Sequence, residues 1–430
     1  MFEERLLDKN FKGKRVLLLQ GPVGPFFKQL AKWLEKSGAT VYKINFNGGD
    51  LLFFARGASY RGTMKDIPEF VRAFCKQHDI DTIMLFGDCR PVHEGIHALA
   101  RERGMDLRVF EEGYLRPDYI TCERYGVNGY SSIPQSSQFY VDLPAADSLP
   151  EPPPLKKTYW HMAAWAVLYY AAAHLLRPMF PNYQHHRPLT ALESFPWIRS
   201  FFRKGLYKFL ERGKQDWLAK SMSKQYFLVP LQVHNDAQVS AHSKYSSITG
   251  FISEVMQSFA SHAPHSTLLV IKHHPMDRAY TDYRKVIRKN AMDLGIGSRV
   301  LYIHDQHLPT LLAAVRGVVV INSTVGLSAI QKGIPVKVCG DAFYDFYGLT
   351  FKGGLDDFWV ASEKIKIDMD LYSRFRVYLR SSSQIYGSFY LSDSIFNSKL
   401  RRSREGVNPG THSQSTVLVP RADGFPPMGE

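Results

Sequence analysis

Between Gln225 and Gly340, short apolar runs end one after another in polar turns, and each turn carries a different chemical group. The runs read QYFLVPLQVHNDAQ, STLLVIKHHPMD, RVLYIHDQHLP, VVVINSTVGLSA and PVKVCGD. Gln232, Asn235 and Asp236 supply two amides and a carboxylate, Lys272, His274 and Pro275 a cation and an imidazole before proline, and Asn322, Ser323 and Thr324 an amide and two hydroxyls. A cation and small polar groups gathered at strand ends suit the phosphate of a nucleotide-linked donor, so this stretch reads as the donor half of an enzyme site. Each group also has a plainer use. Asp236 can cap a helix. A His-Pro step is an ordinary strand exit, in which the residue before proline is held extended. Loop amides often serve only their loop.

The elements that must position these groups follow from the pattern. Helix-like segments fill the gaps between the apolar runs, and strands alternating with helices imply parallel sheets whose ligands bind beyond the carboxyl ends of the strands. The pattern also occupies the start of the chain. Arg15 to Gln20 is an apolar run that stops at GPVGP, and Phe26, Phe27, Leu30, Ala31 and Leu34 then recur at helical spacing until Gly38. TVYKINF, DTIMLFGD and DLRVFEEGY continue the strands, with helical segments between them. Gly21 and Gly24 make a tight loop where backbone can approach a substrate; the spacing is not that of a dinucleotide-binding turn. Asp88 and Arg90 end another strand and face a cleft by position, or pair with each other at a helix start. Glu111 and Glu112 are adjacent on a strand, so only one can face the cleft.

Between the two α/β parts lies a different composition. PAADSLPEPPPLKK is a proline-rich linker. Tyr159 to Leu176 is apolar but holds His161, His174 and the rings of Tyr159, Trp160, Trp165, Tyr169 and Tyr170, which favours an interfacial or buried helix over a spanning one. The following segment mixes Arg and Lys with Trp, Phe and Leu, a composition that suits anionic lipid or, equally, a solvated interdomain helix. From Arg401 onward periodicity is lost and a disordered tail is expected. The predicted domains are therefore 1–145, an acceptor-side α/β domain; 146–224, linker and amphipathic segment; 225–400, a nucleotide-donor α/β domain; and 401–430, the tail.

Two such domains flanking a cleft resemble the GT-B glycosyltransferases. The opening VLLLQGPVGPFF, then EEGYLRPDYIT, LVPLQVHNDAQ, IKHHPMD and INSTVGLSAIQKGIPVKVCGDAFYDFYGLTF, in that order, resemble capsule polysaccharide export proteins of the KpsS/LipB type, over roughly Arg15 to Phe351. The resemblance implies a retaining β-Kdo transferase that moves Kdo from CMP-Kdo to a phosphatidylglycerol-type lipid, starting the linker of a Gram-negative capsule. It further implies that Asp236, in the family's Q-V-x-x-D motif, is the catalytic carboxylate. Glu112, in the match to E-D-G-[FY], becomes the acceptor-side acid or base. Glu stands where many relatives carry Asp, so side-chain reach differs. Arg116 is expected to pair with the Kdo carboxylate or, more plainly, with Asp118 or Glu112. Gly340, Asp341 and Tyr344 border the donor pocket by likeness, while the aromatics of AFYDFYGLTF suit a core equally well. A CMP leaving group carries one phosphate, and no convincing D-x-D signature is present, so no metal and no cofactor beyond the co-substrate is expected.

Composition limits the rest. The chain has 430 residues, 45% of them hydrophobic and 22% charged, enough for two folded domains. A net charge of +14 favours an anionic partner, here an anionic inner-membrane surface, with other capsule synthesis and export proteins as further partners. No nucleic-acid motif accompanies that charge. Cys75, Cys89, Cys122 and Cys339 lack paired spacing, and the first apolar run is too short for a secretory signal. The expected location is cytoplasmic, peripheral on the inner membrane. Transfer of glycerophosphate from a CDP-glycerol-type donor and a non-catalytic adaptor role in capsule export are the competing readings.

Overall fold

The computed structural model describes residues 11–143, 151–156, 158–184 and 194–391. The expected tail, 401–430, lies outside them. Strands β1 (Arg15–Leu18), β2 (Thr40–Asn45), β3 (Ala58–Ser59), β4 (Thr82–Phe86), β5 (Asp106–Glu112) and β6 (Tyr119–Arg124) come first. Strands β7 (Tyr226–Pro230), β8 (Leu268–Lys272), β9 (Val300–Ile303), β10 (Gly317–Val320), β11 (Val336–Val338) and β12 (Gln384–Tyr386) follow. They form a seven-stranded sheet in the order β12-β6-β5-β4-β1-β2-β3 and a five-stranded sheet in the order β11-β10-β7-β8-β9. The second sheet is parallel throughout, and in the first only β6 and β12 run antiparallel to their neighbours.

The central strands β4 and β7 are buried at every residue, as expected where helices cover both faces of a sheet. The helix Phe26–Lys36 shows how the pattern works: Phe26, Phe27, Leu30, Ala31 and Leu34 form its buried face against the first sheet. In each sheet the chain builds outward on one side and then crosses back, so the order reverses between β1 and β4 and again between β7 and β10. Crevices at the carboxyl edge of such points are where doubly wound sheets bind ligands.

Contacts between the halves come from the loops at these edges. Tyr114, just beyond β5, stacks on Phe343, just beyond β11, with ring centroids 3.9 Å apart. Cys89 Sγ, after β4, lies 3.6 Å from His242 Nε2. The two carboxyl edges therefore face each other, the GT-B-like arrangement of two Rossmann-type domains about a cleft.

Two features depart from the expected division. β12 leaves the second half and pairs with β6, so the first sheet is completed by a strand from near the chain's end. The middle segment is also divided. Helix Tyr159–Leu175 packs on the first domain, burying Tyr169 and Ala173 and bringing Ala172 against Gly48 and Tyr169 against Gly49. Helices Ser194–Leu210 and Lys214–Lys220 belong to the second: Leu218 joins its core, and Tyr207 stacks on His304 at 3.6 Å.

Candidate active site

The second domain's reversal point is held by one amide. Gln232, two residues beyond β7, is 8% exposed; its Nε2 donates to Asp236 Oδ2 and to Asn322 Oδ1, each at 3.0 Å. It ties the loop after β7 to the loop after β10. Asn322 completes the brace by donating from Nδ2 to the Gln238 carbonyl at 3.0 Å. Asp236 Oδ1 accepts the Gln238 N–H at 3.0 Å and caps the helix Ala237–Ala241, so the capping role is real. Its second oxygen has only the Gln232 amide, whose Oε1 is buried with no hydrogen-bond partner. A buried acceptor without a donor is uncommon and marks a place where a ligand hydroxyl would be stabilised.

Lys272 ends β8 at 6% exposure, and its ammonium makes no hydrogen bond or ion pair among the described residues. Burial lowers its pKa, opposed by the charges of Asp305 and Glu211. An ammonium so placed gains most from an anion brought to it. The next loop carries His274, whose Nδ1 accepts the Met276 N–H at 3.2 Å, leaving the proton of the neutral ring on Nε2 as a donor. Burial, with Lys272 and then Arg116 adding to it, lowers this imidazole to about 4. Pro275 opens a single turn in which Pro275 and Met276 are exposed and Asp277 is buried. Ser323 and Thr324 start the helix Val325–Ile330; the Tyr344 hydroxyl donates to the Ser323 carbonyl, and Thr324 makes no cap bond. Asn235 is exposed on the loop that carries Asp236.

The first domain faces these groups with its own reversal point. Arg90 stacks over Phe86 at 4.6 Å and donates from Nη1 to Gln20 Oε1 at 3.0 Å and the Gly21 carbonyl at 3.2 Å. It does not pair with Asp88, which is buried, accepts the Val127 N–H at 3.0 Å and stands 3.8 Å from His97. The two glutamates divide as adjacent strand residues must. Glu112 Oε1 accepts the Tyr390 hydroxyl at 2.9 Å. Glu111 sits among Arg90 and Asp88, and burial raises its carboxyl to about 7. Glu111 Oε1 also accepts the Glu112 N–H at 3.0 Å. The Cys89 thiol is pushed up by burial and by Asp88, with smaller contributions from the charges of Glu111 and of Asp236 of the other domain.

Three expected residues have other neighbours. Gly21 lies against the Phe27 ring, where a Cβ would stand 2.7 Å from it, and Gly24, at φ +107°, lies against Trp165. Both serve packing. Arg116 is exposed, forms no ion pair among the described residues, and donates from Nε to the Gly113 carbonyl at 3.2 Å. Asp341 braces His242 through its N–H at 2.8 Å, while Tyr344 is fully buried.

Sequence reasoning missed a pair that the fold joins: His234 Nδ1 lies 2.5 Å from Asp277 Oδ1, and Asp277 is wholly buried. They sit in loops after adjacent strands, and only the β7–β8 register could have shown that their ends meet. Glu211 was also passed over. Its carboxylate binds His304 Nδ1 at 2.6 Å and the His304 N–H at 3.0 Å, fastening the middle segment to the end of β9.

Comparison with known proteins bears on this geometry. The family described as "Capsule polysaccharide biosynthesis protein" matches residues 81–390. The chain is 43% identical over 382 residues to the capsule polysaccharide export protein KpsS of Escherichia coli, covering 88% of this chain and 97% of that protein. It is 38% identical over 411 residues to the capsule polysaccharide modification protein LipB of Neisseria meningitidis serogroup B, covering 92% and 96%. Among solved structures, Thermosulfurimonas dismutans KpsC, a beta Kdo 2,7 transferase, aligns at a TM-score of 0.34 and 16% identity over 78% of this chain and 98% of its own.

Proposed function

The chain belongs to the capsule polysaccharide biosynthesis family, and from that premise we propose that it is a retaining glycosyltransferase that moves Kdo from CMP-Kdo to a phosphatidylglycerol-type lipid. One observation carries the reading. At the reversal point of the second sheet, a carboxylate held by Gln232 stands beside loops that offer a buried lysine whose ammonium has no partner among the described residues and an imidazole N–H. A nucleophile and an anion-holding pair in one crevice are what transfer from a nucleotide-activated sugar needs.

In the first step an Asp236 oxygen bonds to the anomeric carbon as the bond from that carbon to the phosphate oxygen breaks. Lys272 and the His274 Nε2–H receive the charge that develops on CMP. In the second step the acceptor hydroxyl displaces Asp236, and its proton passes to a carboxylate of the first domain. Glu111, raised to about 7, is the carrier we assign, with Glu112 as its neighbour. Two displacements retain the sugar's geometry. Gln232 Oε1 and Asn235 face sugar hydroxyls, Asn322 to Thr324 border the nucleotide, and Arg116 meets the Kdo carboxylate.

The location we propose is the cytoplasmic face of the inner membrane, held peripherally. No helix among the described residues is long and apolar enough to cross a membrane. Support comes from Phe201, Phe202 and Phe209, which are 76%, 69% and 74% exposed beside lysines and arginines.

The test is mass spectrometry of the purified protein with CMP-Kdo generated in situ and a fluorescent phosphatidylglycerol analogue, alongside Asp236→Ala. Addition of one Kdo by the wild type alone is expected. Turnover of CDP-glycerol with none of CMP-Kdo would sink the assignment.

A further inference from the structure

A polar cavity distinct from the donor crevice lies between the domains, beside the last turn of the helix Val325–Ile330. It has a volume of about 130 Å³ and is walled by the 114–119 turn, the Glu151–Pro152 segment, Ser328 and Gln331, and Tyr372 and Arg376. That is far above the roughly 10–15 Å³ one water requires. Tyr372, Arg376 and Arg380 recur every fourth residue on one face of the helix Met369–Ser382 and so point the same way.

The present occupant of this face is a side chain of the protein itself. Glu151, at the head of the proline-rich segment, ion-pairs with Arg376 Nη1 and lies 3.7 Å from Arg380 Nη1 through the same oxygen. It fits the site incompletely. The hydroxyls of Tyr119 and Tyr372, in residues 7% and 4% exposed, are buried with no hydrogen-bond partner, although both feel the charges of Glu151 and Arg376. Two guanidinium groups and two hydroxyl donors exceed what one carboxylate oxygen can accept. A tetrahedral oxyanion has the oxygens to satisfy them, and guanidinium forks match it in pairs. With Asp118 also in the wall, the cavity stays cationic once Glu151 is displaced, because Arg116 and Arg376 remain in the wall and Arg380 stands behind Glu151.

We propose that this cavity is a phosphoryl-binding site, that Glu151 occupies it in the free protein, and that a phosphate group displaces Glu151 to bind Arg376, Arg380 and the two tyrosine hydroxyls. The site is distinct from the donor crevice and does not depend on which donor the crevice takes. Its walls belong to both domains, and Ser328 and Gln331 lie on the helix that Asn322 to Thr324 lead into. Occupancy therefore fixes the two halves relative to one another.

The experiment is calorimetric titration with inorganic phosphate and with glycerol 3-phosphate in a Lys272→Gln background, which removes the buried cation of the donor crevice. Adding Glu151→Gln, an exposed position whose change leaves the fold intact, is expected to tighten binding about tenfold by removing the internal competitor. Adding Tyr372→Phe to that variant should weaken it about tenfold, since it deletes one hydrogen bond to a charged group. Tighter binding of glycerol 3-phosphate assigns the site to a glycerophosphoryl headgroup, and equal binding assigns it to free phosphate; both support the site. Absence of binding in the Glu151→Gln variant, or indifference to Tyr372→Phe, overturns it. CMP titrated into Glu151→Gln with Lys272 intact reports the donor crevice separately, so failure of one site is not mistaken for failure of the other.

Discussion

Asp236 holds a helix cap with one oxygen and the Gln232 amide with the other, so its two roles separate by substitution. Asp236→Asn keeps a capping oxygen and should unfold within a few tenths of a kcal/mol of wild type, whereas Asp236→Ala should lose about 1 kcal/mol. Both should lose at least about a thousandfold in transfer, because neither supplies a nucleophile; retained transfer in Asp236→Asn would return the residue to its cap. Glu111 gives a second test with a sign. Its carboxyl titrates near 4.5 in an open chain and at about 7 in the fold, so between those values the folded state holds the extra proton. Stability therefore falls as pH rises through that window and levels off above about 7. Glu111→Gln removes the penalty. Its unfolding free energy from urea titration should match wild type at pH 4 and exceed it at pH 8, by on the order of 3 kcal/mol at most. The same variant should flatten the limb of the rate profile near pH 7, which Glu112→Gln should leave in place.

At the scale of elements, strands and their ends were legible because apolar runs such as TIMLF and YFLVP must be buried on both faces, which leaves polar residues only where a strand stops. The same reasoning found Gln232, Lys272 and Asn322. It did not find β12, because three residues with no alternation carry too little pattern to announce a strand that crosses to the other domain. Nor did it divide the middle segment, since aromatic residues that bury against protein or against lipid have one composition. Tyr169 turned inward because its hydroxyl has partners there: it donates to Asp50 Oδ1 at 3.1 Å and accepts from Asn47 Nδ2 at 2.8 Å. The helix approaches closely only because of Gly48, where a Cβ would stand 2.3 Å from the Ala172 carbonyl. Gly48→Ala should cost about 1–3 kcal/mol as an overpacked contact, seen as a lower unfolding midpoint. An unchanged midpoint would mean that this helix is not fastened to the first domain.

The whole molecule carries +14, yet its charge has a local expression on the helix Ser194–Leu210. The inward face of that helix is engaged: Arg203 donates to the Arg278 carbonyl at 2.7 Å, Ser200 accepts from Arg278, and Tyr207 stacks on His304. The outward face presents Phe201, Phe202, Leu206 and Phe209 with Arg199, Lys204 and Lys208. Three basic side chains near an anionic bilayer supply about 1 kcal/mol each, and about 4 kcal/mol corresponds only to millimolar affinity. Charge alone would leave the protein in solution. Burying a phenylalanine adds about 1.5–3 kcal/mol, so two inserted rings bring the sum to micromolar binding or tighter. Flotation with phosphatidylglycerol vesicles should then show binding that phosphatidylcholine vesicles lack. It should weaken as salt rises from 0.1 M to 1 M and the screening length contracts from about 10 Å to about 3 Å. Phe202→Glu with Phe209→Glu should abolish flotation even at low salt, while transfer to a short-chain, water-soluble acceptor continues at the wild-type rate, because these rings are exposed and the helix meets the second domain through Ser200, Arg203 and Tyr207 instead. Flotation that survives the double substitution would move the membrane contact to another face, and loss of soluble transfer would place this helix in the reaction itself.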